Sequence, residues 1–312
     1  MIYLRVVVIC LTVIATSCDR QNRQASSETG VAKMQEGTLV VTSNYPLYFF
    51  ASRIAEGVVD APEIVLPKIK GDPASWVPSA EQIQQLQSAD AVILNGAGYE
   101  SWLSLVTIDQ RRLVDTSGHI KEQLIPLEGS LVHQHGPGGE HSHEGTAFTV
   151  WLDPRLAIVQ AESITDALIR ILPSGKTGFR ENMARLESDL MELDASLAAG
   201  FSRLNDQPVL FSHPVYQYLQ RRYELNGQSV HWEPDEEPST SDWISLQRLR
   251  SKHAASIMIW EGKPLTSTAE RLSEAGIESV SLRPFANRPD QGDYLSEMRA
   301  DAMRLEVLLF SD

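Results

Sequence analysis

The sequence predicts an α/β protein of two lobes, each built from βα units around a mainly parallel sheet, with a long helix joining them. Three observations carry this expectation. Short apolar runs alternate with helical patterns, the signature of parallel βαβ units. Leu186, Leu190, Leu193 and Leu197 recur at helical spacing within a stretch running from residue 179 to 204, and such a helix can bridge two bodies. Beyond it the same rhythm restarts. At 312 residues the chain has room for two domains with separate cores.

In the first half, residues 38–43 read as a buried strand, followed by a helix carrying Phe49, Ile54 and Ala55. An apolar run over 63–67, a helix over 80–89 and a strand over 91–96 come next. A helical stretch starts after Asp153-Pro154 and ends near Leu172, where Pro173 and Gly175 interrupt it. In the second half, strands are expected at 209–212, 229–232, 256–260 and 279–282. Helices are expected over 241–253 and 266–275, with a closing amphipathic helix over 293–310. This divides the chain into a first lobe over 38–172, a linking helix over 173–204 and a second lobe over 205–312.

The N-terminus reads as an export signal. Arg5 precedes an apolar stretch over 6–15, and Thr16-Ser17-Cys18 follows. That stretch is too short to span a bilayer, which takes about 20 apolar residues. A basic start, an apolar middle and small residues before a cut site define a signal peptide. Residues 15–18 resemble a bacterial lipobox, in which the cysteine is acylated and becomes the first mature residue. Residues 1–17 are then removed, Cys18 carries the lipid, and the polar residues 18–37 form a flexible tether. The protein is expected outside the cytoplasm, lipid-anchored to a bacterial membrane and facing the periplasm or the cell exterior. The other cysteine, Cys10, lies in the segment to be removed. Neither a disulfide nor a cysteine-ligated zinc site is then open to the mature chain, so a metal site must use His, Asp and Glu.

A formal net charge of -14 argues against nucleic acid as a partner and suits a cation in a weak, long-range way. H-E-x-x-H, G-x-S-x-G and a P-loop are all absent. Ser212 and His213 are strand neighbours that point to opposite faces, so they make no catalytic pair. The chain reads as a binding protein, not an enzyme, with a metal-dependent hydrolase as the rival. Residues 131–145 carry His133, His135, His141 and His143 with four Gly and one Pro, and read as a mobile surface loop. Two closely spaced imidazole pairs suit zinc, copper or nickel, and Glu140 and Glu144 offer oxygen donors.

Several segments, in order, resemble the zinc- and manganese-binding solute receptors of bacterial ABC importers, solute-binding protein family 9. They are Val40-Val41-Thr42-Ser43-Asn44-Tyr45-Pro46-Leu47, Gly71-Asp72-Pro73, Asn95-Gly96-Ala97-Gly98-Tyr99-Glu100-Ser101-Trp102, Val150-Trp151-Leu152-Asp153-Pro154, and Ser212-His213-Pro214 continuing to Arg221-Arg222-Tyr223. The resemblance covers nearly all of residues 38–310. It implies a rigid linking helix, a metal held in the cleft between the lobes, and delivery to a membrane permease with its ATPase subunit by a monomeric receptor. Zinc is the expected ion, with manganese and copper as alternatives; a surface adhesin is the other role that the resemblance admits. Ligands in such receptors usually come two from each lobe. Here the first position falls at Ala74, the second at Thr149, the third at His213 and the last at Arg283. One donor in four does not make the usual tetrahedral site.

Three readings of the altered site stand side by side. In the first, the site is relocated to the strand ends of the second lobe, where His213, His231, Glu233 and Glu261 fall. Arg283 then neutralises a carboxylate, most simply Glu261 or Glu233, because a buried unpaired charge is costly. In the second, the His-rich segment captures metal and passes it to the cleft. In the third, Ser75, Thr149, His213 and Arg283, with Trp76 nearby, line a cleft for a small anion or a metal complex.

Overall fold

The computed structural model describes residues 37–127, 131–134, 140–143 and 145–310. The expected signal peptide, Cys18 and nearly all of the tether lie outside the described residues, as do His135 and Glu144.

The first lobe holds strands β1 (Leu39–Thr42), β2 (Glu63–Val65), β3 (Ala91–Leu94) and β4 (Leu113–Asp115). They form one parallel sheet in the order β2-β1-β3-β4. Its helices are α1 (Tyr45–Ala55), α2 (Ala80–Ser88) and α3 (Pro154–Ile171). Strands β5 (Leu131–Gln134) and β6 (Glu140–His143) pair antiparallel with each other, and α4 (Lys176–Phe201) runs for 26 residues. The second lobe holds β7 (Val209–Phe211), α5 (Gln217–Arg222), β8 (Gly227–Ser229), α6 (Thr240–Arg250), β9 (Ile257–Trp260), α7 (Thr266–Glu274), β10 (Glu278–Ser281) and α8 (Tyr294–Phe310). Its parallel sheet has the order β10-β9-β7-β8. Both sheets therefore place their second strand beside the first, with the third on its other side. In each, the strand order reverses between the first and third strands, where open parallel sheets bind ligands.

Strand alternation builds the layers. Val40, Val209, Phe211, Ile257 and Ile259 face a core shared by both lobes, while their neighbours Val41, Leu210 and Met258 face separate outer cores. Helix α4 buries Leu186, Leu190, Leu193 and Leu197 completely and packs against α1, α3 and α8. Local signals start the helices. Asn44 accepts from the Leu47 amide at the head of α1, and Asp153 accepts from the Arg155 amide at the head of α3, each with a proline in the first turn.

The linking helix also carries a charge clasp. Asp194, buried on α4, accepts from Arg155 Nε at 2.8 Å, from Arg222 Nε and Nη2 at 2.8 and 2.7 Å, and from the Tyr223 hydroxyl at 3.2 Å. Burial raises its pKa, but these donors outweigh that and hold it below the usual aspartate range. Arg155 belongs to the first lobe and Arg222 to the second, so one carboxylate ties both lobes to the helix. Both guanidiniums are partly solvated, which screens the interaction. Asp194→Ala is expected to cost about 2 kcal/mol. Urea unfolding reads this directly, and an unchanged midpoint would remove the clasp from the account.

Three elements differ from the sequence expectation. Strand β8 starts at Gly227 rather than Ser229, because a close packing site, not an apolar run, defines it. A Cβ at Gly227 would come within 2.2 Å of the Phe211 ring. The main-chain bonds from Val230 and Trp232 to Phe211 and Ser212 continue the ladder past the strand. Strand β4 is three residues long and carries no apolar run that would reveal it. The His-rich segment contains a paired hairpin with His133 opposite His141, where an irregular loop was expected.

Candidate metal centre

The carboxyl ends of the second sheet converge on Ser212. Its amide donates to the Ile259 carbonyl at 2.9 Å, its carbonyl accepts from the Trp232 amide at 2.7 Å, and its hydroxyl accepts from the Glu261 amide at 3.4 Å. Those bonds gather the chain after β7, β8 and β9 around one point. His213 follows β7, Glu261 follows β9 directly, and Glu233 lies in the segment after β8. His213 and Glu261 thus sit where the strand order reverses.

His213 Nδ1 is 3.0 Å from Glu261 Oε1 and 3.4 Å from Glu233 Oε1. Each of the three residues offers a donor atom, and these atoms lie within 4.8 Å of one another. Tetrahedral zinc bonded at 2.0–2.1 Å sets its donors roughly 3.4 Å apart. Small side-chain rotations separate this arrangement from that geometry. The His213 ring is buried, while the side chains of Glu233 and Glu261 are 26% and 20% exposed. The donors therefore rest on a fixed imidazole with two adjustable carboxylates at the water's edge. Among the described residues this is the only cluster of three such donors.

His231, the fourth residue that the sequence points to, packs against His213 but is not one of the three clustered donors. Its ring centroid is 5.9 Å from that of His213, edge to face. Burial, and then the neighbouring His213, push its pKa below the ordinary histidine value, and Glu233 partly offsets them. Arg283 corrects an expectation. It pairs with neither Glu261 nor Glu233; its Nη2 donates to Glu297 Oε2 at 2.5 Å and to Asp301 Oδ1 at 3.1 Å. Its backbone amide also donates to Asp301 Oδ2 at 2.7 Å. Helix α8 supplies both carboxylates, one turn apart, which was beyond the reach of strand-end reasoning. Glu261 therefore remains with His213.

The first lobe brings no donor to the remaining family positions. Ala74 is buried in the middle of a short helical turn, Pro73–Ser75, capped by Asp72. The Thr149 hydroxyl donates to the Val215 carbonyl across the cleft at 2.5 Å. Other bonds also cross between the lobes: Trp151 Nε1 to the Pro284 carbonyl at 2.7 Å, Asn287 Nδ2 to the Gly71 carbonyl at 2.7 Å, and the Tyr218 hydroxyl to the Ala147 carbonyl at 2.8 Å. Where a metal shared by two lobes would join them, the protein joins itself.

At the reversal point of the first sheet sits a buried carboxyl group. Glu100 Oε1 accepts from the Ser43 hydroxyl and the Asn95 amide, both at 2.6 Å, and Oε2 accepts from the Gly96 amide at 3.1 Å. Burial raises its pKa to about 7 against those donors, which pull it down. This internal carboxyl group occupies the place that His213 and Glu261 hold in the second lobe. The sequence offered Glu100 only as part of a motif, and Ser212 only as a neighbour of His213.

The cleft between the lobes has a volume of about 760 Å³, lined by His213, Glu233 and Glu261 on one side and by Asp72, Tyr99 and Trp151 on the other. Two parallel α/β lobes in matching strand order, a long helix between them and a shared cleft define a two-lobed solute-binding protein. The chain matches the family described as "ZnuA: Zinc-uptake complex component A periplasmic" over residues 40–307, and it belongs to that family. The zinc-binding lipoprotein AdcA of Streptococcus pneumoniae is 27% identical over 286 residues, a match covering 88% of this chain and 56% of that protein. The chain thus spans about half the length of that curated relative. The high-affinity zinc uptake system protein ZnuA of Bacillus subtilis is 24% identical over 281 residues, covering 89% and 86% of the two chains. The Zn(II)-bound ZnuA-like domain of Streptococcus pneumoniae AdcA superposes with a TM-score of 0.70 at 25% identity, over 87% of this chain and 98% of that one.

Proposed function

We propose that this protein is the extracytoplasmic zinc receptor of an ABC importer, and that His213, Glu233 and Glu261 hold the ion. The cluster of one imidazole and two carboxylates is the observation that carries this reading. Three protein ligands leave a fourth position open on zinc. Mixed nitrogen and oxygen donors also accept manganese, but zinc stands above it in affinity for such a set. All three donors belong to the second lobe, from which the ion would pass to a permease that works with an ATPase subunit. Titration of the purified protein with zinc, manganese and copper tests this: one tight zinc site with manganese weaker is expected. A protein that takes up no zinc at the cleft would end the proposal.

The His-rich hairpin is proposed as a second, weaker capture site, with His133, His135, His141 and His143 as donors. His133 and His141 are register partners across the two strands. Deleting residues 132–144 is expected to leave folding intact, since the segment contributes little apolar surface. It should lower zinc stoichiometry or slow capture at scarce zinc; an unchanged isotherm with unchanged transfer kinetics would leave the hairpin without a metal role. We further propose residues 1–17 as a signal peptide, Cys18 as the lipid anchor and 18–37 as its tether, in a protein that acts as a monomer. Cys18→Ser is expected to move the protein to the soluble fraction, and wash-resistant membrane attachment of that variant would contradict the anchor.

A further inference from the structure

We infer that the cleft takes zinc together with a small carboxylate-bearing chelator, so that the cargo is a metal complex and not a bare ion. The inference rests on the zinc site proposed above and adds the occupant of its open side.

Coordination comes first. His213, Glu233 and Glu261 supply three donors, and zinc commonly takes four. The facing lobe cannot complete the set at the family positions, because Ala74 has no donor and the Thr149 hydroxyl is bonded to the Val215 carbonyl. The open position therefore faces a cleft of about 760 Å³, room for roughly 25 waters. Volumes of about 300–1,000 Å³ are those of small-molecule pockets. Phe148, which is partly exposed, also lines the cleft, packed edge to face on the buried Tyr99 ring.

Charge comes second. Lys263 and Arg288 line the same cleft, and neither forms an ion pair among the described residues. Lys263 lies two residues beyond Glu261. The Arg288 guanidinium rests 4.6 Å from the Tyr48 ring centroid, which fixes its position without neutralising it. Cationic side chains in the lining do not assist capture of a bare cation. Two carboxylates bound to zinc already offset its charge, so a chelator would bring further carboxylates that need a cationic partner. Asp72, Asp235 and Asp290 also line the cleft, so an anionic group would need Lys263 or Arg288 as its partner. The ligand class is thus a hydroxy- or amino-carboxylate that gives zinc its remaining donors and presents a free carboxylate to Lys263 or Arg288.

Equilibrium dialysis of the purified protein with labelled zinc and labelled chelator tests this, with citrate in one arm and histidine in another. The expected result is retention of zinc and one of the two chelators in equal amounts, with no chelator retained when zinc is omitted. Lys263→Glu should lower the zinc-dependent retention of chelator at least about tenfold. Zinc retained alone at saturating citrate and at saturating histidine would overturn the inference while the zinc site stands. Chelator retained equally without zinc would also overturn it, making the cleft an anion site. Retention of neither metal nor chelator would bring down the zinc site itself. Unchanged chelator retention in the Lys263→Glu and Arg288→Glu variants would refute the assigned cationic partners.

Discussion

Replacing His213 with alanine is expected to weaken the tight zinc-binding event by at least about 100-fold, or about 2.7 kcal/mol. His213 is the one nitrogen donor among the three and the one that is buried, so it fixes the place of the ion. Its Nδ1 lies within hydrogen-bond distance of Glu261 Oε1, at 3.0 Å. A metal ion takes the place of the bridging proton in that pair. Alanine leaves two carboxylates with no imidazole between them, a set that favours hydrated magnesium or calcium over zinc. Weaker binding at the His-rich hairpin should persist in the variant. The same substitution in the hairpin-deleted protein therefore isolates the cleft, and there titration should show no zinc uptake above the weak background. Equal affinity in wild type and His213→Ala would locate the tight site elsewhere.

Stability is expected to fall as the pH rises from about 4.5 to about 7, through the buried carboxyl of Glu100. In the unfolded chain this group ionises near its ordinary value of 4.5, whereas burial raises it to about 7 in the fold. Between those values the folded state holds the proton and the unfolded state does not. Stability from this group is therefore complete below 4.5 and lost as the pH passes through 7. The full difference amounts to roughly 3 kcal/mol. Urea unfolding at a series of pH values measures it. The dependence should be flatter in Glu100→Gln, which cannot ionise, although the amide faces the Gly96 donor poorly and lowers stability overall. A wild-type curve with the same slope as that of Glu100→Gln over this range would show that Glu100 ionises normally in the fold.

Much of the architecture was legible because its signals are local. The leucines of α4 are spaced for one buried face, and all four that mark it are completely buried. Strands β1, β3, β7 and β9 are buried apolar runs and were found within a residue or two. Strand β4 escaped notice and β8 was expected two residues late, because their places depend on neighbours: β8 begins at a glycine chosen for the Phe211 ring, which no window of sequence reveals.

The site was legible in part for a similar reason. His213, Glu233 and Glu261 follow strand ends, and strand ends of a parallel sheet meet at one edge. Sequence position alone gave no distance, so His231, which packs edge to face on His213, stood level with the three clustered donors. Arg283 was misjudged because its partners, Glu297 and Asp301, lie on α8, and helix packing decides which face of α8 meets that loop. Ser212 carried no signal of its own: its role lies in three hydrogen bonds to the segments that hold the donors.

Diffraction from crystals of the zinc-loaded protein, recorded on both sides of the zinc absorption edge, tests the central claim most directly. The account predicts an anomalous peak in the cleft, about 2.0–2.1 Å from a ring nitrogen of His213 and within bonding distance of Glu233 and Glu261 oxygens. A crystal in which zinc sits only on the His-rich hairpin, with the His213 and Glu261 side chains still bonded to each other, would contradict it.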